Sequence, residues 1–151
     1  MRVSAKVDYA VRAAIELTRA DGRRLKCEEI ARSQDIPVNF LENILGEMRH
    51  AGLVRSRRGT DGGFWLARSA EDISVADVFR AVEGPLAWVA DRRPEDVDTA
   101  PGDEALRDLW IALRTGLRQV LEPVSISQLA AGKLPREIAK LTEGPEDWVG
   151  R

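Results

Sequence analysis

Asn39, Glu42 and Asn43 fall at i, i+3 and i+4, and Gly46 and His50 continue the line at i+7 and i+11. On a helix that spacing makes one face. Its side chains are of the kind that reads base edges in a major groove, because asparagine pairs bidentately with adenine and glutamate accepts from cytosine N4. Just downstream, Arg49, Arg55, Arg57 and Arg58 supply four guanidinium groups, and Gly59 opens a glycine-rich turn that ends Gly62-Gly63. Arginines so placed match phosphates and, at a hairpin tip, a narrow minor groove. Asp61 in the same turn opposes deep insertion. A solvated helix face and a charged surface hairpin are the plain alternatives for each group alone. Their succession along the chain favours double-stranded DNA as the partner.

Other chemistries are poorly served. Cys27 is the one cysteine and His50 the one histidine, so an intramolecular disulfide is excluded and a Cys/His set for zinc or an iron–sulfur cluster is missing. No glycine-rich phosphate loop precedes a helix and no nucleophile is paired with a base, which speaks against an enzyme. Cys27 admits two readings. Lys26, Arg24 and a helix N-terminus beside it can lower its pKa and make a redox-sensing thiolate, whereas Glu28 and Glu29 oppose this and a buried thiol serves as a small apolar residue.

The elements that must position these residues follow from hydrophobic period. Val7, Ala10, Val11, Ala14 and Ile15 define an amphipathic first helix with Ser4 as N-cap, and Asp8, Arg12 and Glu16 pair along its outer face. Ala20 to Arg24 breaks it. A second helix runs from about Cys27 to Gln34 with Ile30 and Ala31 inward. The turn at Asp35-Ile36-Pro37 leads into a third, with Pro37 in its first turn, Val38, Leu41, Ile44, Leu45 and Met48 buried, and Gly52 at its end. Leu53 to Arg57 and Phe64 to Leu66 read as a hairpin whose glycines permit positive φ. Ser74 caps a fourth helix ending near Val82. Residues 84–102 lack a period and carry prolines and acids, as an exposed loop does. Leu106, Leu109, Trp110, Leu113 and Leu117 then stripe a helix from about Asp103 to Leu121, more apolar than one small domain can cover, and the expectation is a dimerisation element. A short helix follows from Ser125 to Ala131, and residues 132–151 form a tail.

The expected fold is therefore mainly α with a small β-hairpin: a winged helix-turn-helix domain (1–83), a loop (84–102), dimerisation helices (103–131) and the tail. In 151 residues, 44% hydrophobic and 32% charged, this is one soluble domain with a helical appendage. No membrane span or signal peptide is read, so a cytoplasmic location without membrane partners is expected. Residues 1–68 carry 13 Lys and Arg against 9 Asp and Glu, whereas residues 69–151 carry 10 against 16. A basic first half is suited to a polyanion and an acidic second half to protein or solvent.

Taken together, Ser4 to Leu17, Glu29-Ile30-Ala31, Phe40-Leu41-Glu42, Ala51-Gly52-Leu53-Val54, the wing Ser56 to Leu66, Val82-Glu83-Gly84-Pro85 and Leu109-Trp110 resemble the Rrf2 family of bacterial transcription regulators. The resemblance implies a homodimeric winged-helix protein that binds a partly palindromic operator, usually as a repressor. Many members hold an iron–sulfur cluster through three cysteines in the loop matching about residues 86 to 106, and some add a carboxylate where this chain has Asp8. No cysteine stands in this loop, and a carboxylate alone lacks the soft donors a cluster needs. A member without a cluster or other cofactor is expected, with Asp8 as the helix partner of Arg12. Its signal is then a small-molecule effector near Trp88, a partner protein, or oxidation of Cys27. A winged-helix protein-interaction module without DNA is the remaining alternative.

Overall fold

The computed structural model describes residues 2–150. Helices α1 (Ala5–Arg19), α2 (Cys27–Gln34) and α3 (Val38–His50) lead into strands β1 (Val54–Arg57) and β2 (Gly63–Leu66); α4 (Val75–Glu83), α5 (Glu104–Leu121), α6 (Ile126–Ala130) and α7 (Arg136–Ala139) follow. This is the mainly α fold with one hairpin that the periodicity predicts.

Ser4 caps α1 as expected, accepting from the Val7 amide at 3.2 Å. Ser74 caps α4 within a reciprocal capping box, its hydroxyl accepting from Asp77 N–H while the Asp77 carboxylate accepts from Ser74 N–H. Pro37 differs from expectation. It is the N-cap of α3 with an extended ψ of 125° rather than its first helical residue. Gly52, at φ +75°, leaves α3 in the left-handed conformation that favours glycine.

Ala10, Ala13 and Ala14 of α1 are fully buried, and so are Ile30, Leu41, Ile44, Leu45 and Met48 from α2 and α3. Three alanines on one face let α1 run close beside its neighbours, while the larger aliphatics fill the space between. Ile126 of α6 is also fully buried in this core, and α6 is tied to the segment before α4 because Ile126 N–H donates to Ile73 O and Val75 N–H to Val124 O. The sequence places α6 with the dimerisation helix. Within the protomer α6 packs on α1, with Ile126 and Val124 buried, whereas no residue of α5 is buried.

Residues 84–102 are mostly exposed, as their lack of period suggests, but the segment is anchored at a few points. Leu86 and Pro94 are buried, and Glu95 forms an ion pair with Arg114 of α5. Trp148 of the tail donates its indole N–H to Thr142 O at 2.8 Å, yet its ring is 76% exposed. Among the described residues no helix is long and apolar enough to cross a membrane.

Candidate nucleic-acid interface

The buried stripe of α3 fixes the direction of its opposite face. With Leu41, Ile44, Leu45 and Met48 in the core, Asn39, Glu42, Asn43, Arg49 and His50 are all exposed. Two contacts from α1 hold the helix. Lys6 pairs with Glu47 at 2.8 Å, and Tyr9 meets Phe40 edge-to-face with centroids 5.8 Å apart. Arg12 lies over the Tyr9 ring at 5.7 Å and pairs with Asp8 at 2.7 Å, so Asp8 is the helix partner expected from spacing.

The hairpin sets Arg55 opposite Trp65 and Arg57 opposite Gly63. Strand alternation then puts Arg55 and Arg57 on one side, both exposed, with Val54 buried. Arg58 and Gly59 are exposed at the tip. Arg49 joins the two parts, donating to Ser56 Oγ of β1 at 3.1 Å, which fixes the end of the reading helix to the wing. All eight residues predicted for DNA contact are therefore exposed, on α3 and on the wing; Arg49 is tethered to Ser56, and the carbonyl of Gly59 is held from within the protomer.

Two cations that the sequence offered only as neighbours of Cys27 hold this wing. Lys26 donates to Gly59 O at 2.6 Å, and Arg24 donates to Asp61 O at 3.0 Å while its guanidinium lies 4.9 Å from the Trp65 ring centroid. Between them Leu25 bridges to Phe64, exchanging backbone hydrogen bonds of 2.8 and 3.0 Å, and so adds one residue of a third strand. The basic run Arg23-Arg24-x-Lys26 was the available sign of this role.

The wing glycines act in different ways. Gly59 and Gly63 have φ of +105° and +140°, as the hairpin reading expects, but Gly62 does not have positive φ. It is required for space: a Cβ there lies 2.1 Å from Arg57 O. Gly62→Ala should force the tip open and lower DNA affinity by roughly 1 to 3 kcal/mol, the cost of local backbone strain. Gly59→Ala meets nothing within 4 Å, so its cost is the strain of an L side chain at φ +105° alone, about 1 kcal/mol or somewhat more, without a backbone clash. Titration of labelled duplex, with circular dichroism as the folding control, checks the order, and equal affinities for the two variants contradict it.

Of the two readings of Cys27, the structure agrees with the buried thiol. It is 6% exposed, its Sγ lies 3.8 Å from Val38 O, and burial, followed by the negative charges of Glu42 and Glu28, pushes its pKa up to about 11. Lys26 and Arg24 point to the wing instead. Burial supports the reading of Cys27 as a small apolar core residue over that of a thiol sensor. Because the folded pKa is raised above the unfolded value, the contribution of Cys27 to stability is full below about pH 9 and is lost as pH rises toward about 11. Thiol-reactive dye at neutral pH should label the native protein only as fast as it unfolds, and rapid stoichiometric labelling contradicts this. Trp88, the other sensor candidate, is 51% exposed and is no buried anchor.

The five residues of the expected dimer stripe separate into two groups. Leu106, Leu109 and Leu113 are exposed, at 46, 56 and 42%, whereas Trp110 and Leu117 are half-buried against their own protomer.

The Rrf2 family model, described as "Iron-dependent Transcriptional regulator", matches residues 3–132. A Mycobacterium tuberculosis protein named as an HTH-type transcriptional regulator is 45% identical over 144 residues, covering 95% of this chain and 89% of its own. The structure of CymR, titled as the global cysteine regulator of B. subtilis, superposes with a TM-score of 0.71 at 30% identity, covering 89% of this chain and 99% of that one. T. potens IscR superposes with a TM-score of 0.68 at 27% identity, covering 98% and 97%. The word iron in the family description calls for a donor set, and the residues here do not fit a cluster. The one thiol is closed in the core, and among the described residues no three His, Cys, Asp or Glu side chains are grouped to hold a metal.

Proposed function

The chain belongs to the Rrf2 family of transcriptional regulators, and on that premise we propose that it binds a partly palindromic operator as a homodimer and represses from it without an iron–sulfur cluster. What supports this reading is that Asn39, Glu42 and Asn43 of α3 and Arg55, Arg57 and Arg58 of the wing are all exposed, with the helix tied to the wing through Arg49 and Ser56. The α3 side chains read base edges, and the wing arginines neutralise the flanking phosphates. Arg49, held by Ser56, sets the angle between the two.

The exposed leucines of α5 supply the dimer contact. Two copies related by a two-fold axis present two α3 helices to successive major grooves, and this is why the site they recognise has inverted half-sites. Repression follows from occupancy, since a dimer spanning two grooves excludes other proteins from the same stretch of promoter.

The test is selection of bound fragments from the sheared source genome by full-length protein, followed by sequencing. The expected result is one enriched motif with two inverted half-sites whose centres lie about 10 base pairs or a multiple apart. Absence of an enriched motif contradicts the reading and leaves a winged-helix protein-interaction module.

A further inference from the structure

A cavity of about 280 Å³ lies in the seam between α5 and the rest of the protomer. Its walls are Val7 and Val11 of α1, Phe79 of α4 and Leu117 and Leu121 of α5, with Leu86 from the following loop. All of them come from one chain. The leucines left for a second copy, Leu106, Leu109 and Leu113, do not line it. Two charged residues stand among these walls. Asp8 is already paired with Arg12 at 2.7 Å, whereas Arg2, exposed at the rim, has no hydrogen-bonded or ionic partner among the described residues. The cavity thus combines an apolar body with one solvent-facing guanidinium, unpaired among the described residues, at its rim.

We propose that this seam is the effector site of the protein and takes a small aliphatic carboxylate, its chain among the aliphatic walls and its carboxylate on Arg2. Size agrees with that class. An apolar cavity of about 150 Å³ holds a benzene ring, so this one admits a ligand of roughly ten non-hydrogen atoms. Charge agrees as well, because guanidinium pairs with carboxylate through two parallel hydrogen bonds.

The position gives occupancy a consequence. α1 forms one wall, and on another side it holds the reading helix through Lys6–Glu47 and Tyr9–Phe40. α5 forms the opposite wall and bears the leucines assigned to the dimer contact. A ligand in the seam fixes α5 relative to α1, and with it the separation of the two α3 helices in a dimer. The regulatory part of the inference rests on the proposed function; the binding part stands without it.

Octanoate is the probe, titrated calorimetrically into the full-length protein, with octan-1-ol as the uncharged control. Saturable binding of one octanoate per protomer is expected. Octanol, or octanoate on Arg2→Gln, should bind about tenfold more weakly, as expected when one charge-assisted hydrogen-bonded pair is removed. Val11→Phe should fill the seam and abolish binding, and if that variant misfolds Arg2→Gln carries the test alone. Absence of saturable binding, or binding unchanged in Arg2→Gln, overturns the site. Octanoate bound only by a variant made monomeric through α5 also overturns it, since a second copy then occupies the seam. Operator affinity with saturating octanoate should differ from that without it, and an unchanged affinity overturns the regulatory role. Failure to bind an operator in the absence of octanoate is the separate failure of the proposed function.

Discussion

Replacing Leu109 and Leu113 together with Asp should yield a folded monomer at concentrations where the unmodified protein is expected to be the proposed dimer. Both side chains are exposed in the protomer, at 56 and 42%, so the substitutions leave the core untouched. Leu117 is a poorer choice because it is half-buried against its own chain. In a two-fold interface each substitution occurs twice, so four leucines are removed. At roughly 1.5 kcal/mol or more for each buried leucine, dimerisation weakens by about 6 kcal/mol, or more than four powers of ten. Carboxylates facing one another across the axis add to this. Sedimentation velocity at micromolar concentration, with far-ultraviolet circular dichroism as control, reads the effect. A dimeric double variant removes α5 from the interface.

The second large effect separates reading from holding. Asn43→Ala should cost roughly 1 to 3 kcal/mol against the preferred operator and relax preference at one base position in each half-site. Arg58→Ala should weaken binding to every sequence alike and reduce the salt slope by about one for each phosphate left without its guanidinium. The difference follows from position. Asn43 lies on the outer face of α3, whose opposite face is locked by Ile44, Leu45 and Met48, while Arg58 lies at the hairpin tip. Affinity measured for both variants against the operator and single-base substitutions of it distinguishes the roles. A uniform loss for Asn43→Ala, or an unaltered salt slope for Arg58→Ala, reverses the assignment.

Most of the scaffold was legible because it is written in period. The bounds of α2 and α3 follow from apolar spacing with recognisable ends, and the capped starts of α1 and α4 follow from Ser4 and Ser74. The exposed residues of α3 were legible for the same reason, since a buried stripe determines its opposite face. What was not legible depends on contacts without period. The single bridge from Leu25 to Phe64 is too short to leave a pattern, and the burial of Pro94 is decided by α5 arriving from elsewhere in the chain. Cys27 shows the limit most clearly. Its neighbours in sequence include both cations and acids; the cations reach the wing carbonyls, whereas the charges that act on the thiol are those of the adjacent Glu28 and of Glu42, which α3 brings near. The stripe on α5 was legible as apolar, but its division into an exposed group, Leu106, Leu109 and Leu113, and a half-buried pair, Trp110 and Leu117, required the fold.

The central claim is that α3 and the wing together form a sequence-specific DNA surface in a dimer. The most direct test is the salt dependence of affinity for the selected operator and for a duplex of the same composition in scrambled order. With Arg55, Arg57 and Arg58 contributed by each protomer, the logarithm of affinity should fall with the logarithm of salt with a slope of roughly −5. The operator should remain at least about a thousandfold tighter than the scrambled duplex at physiological salt. Equal affinity for the two duplexes, or a slope near zero, contradicts the claim.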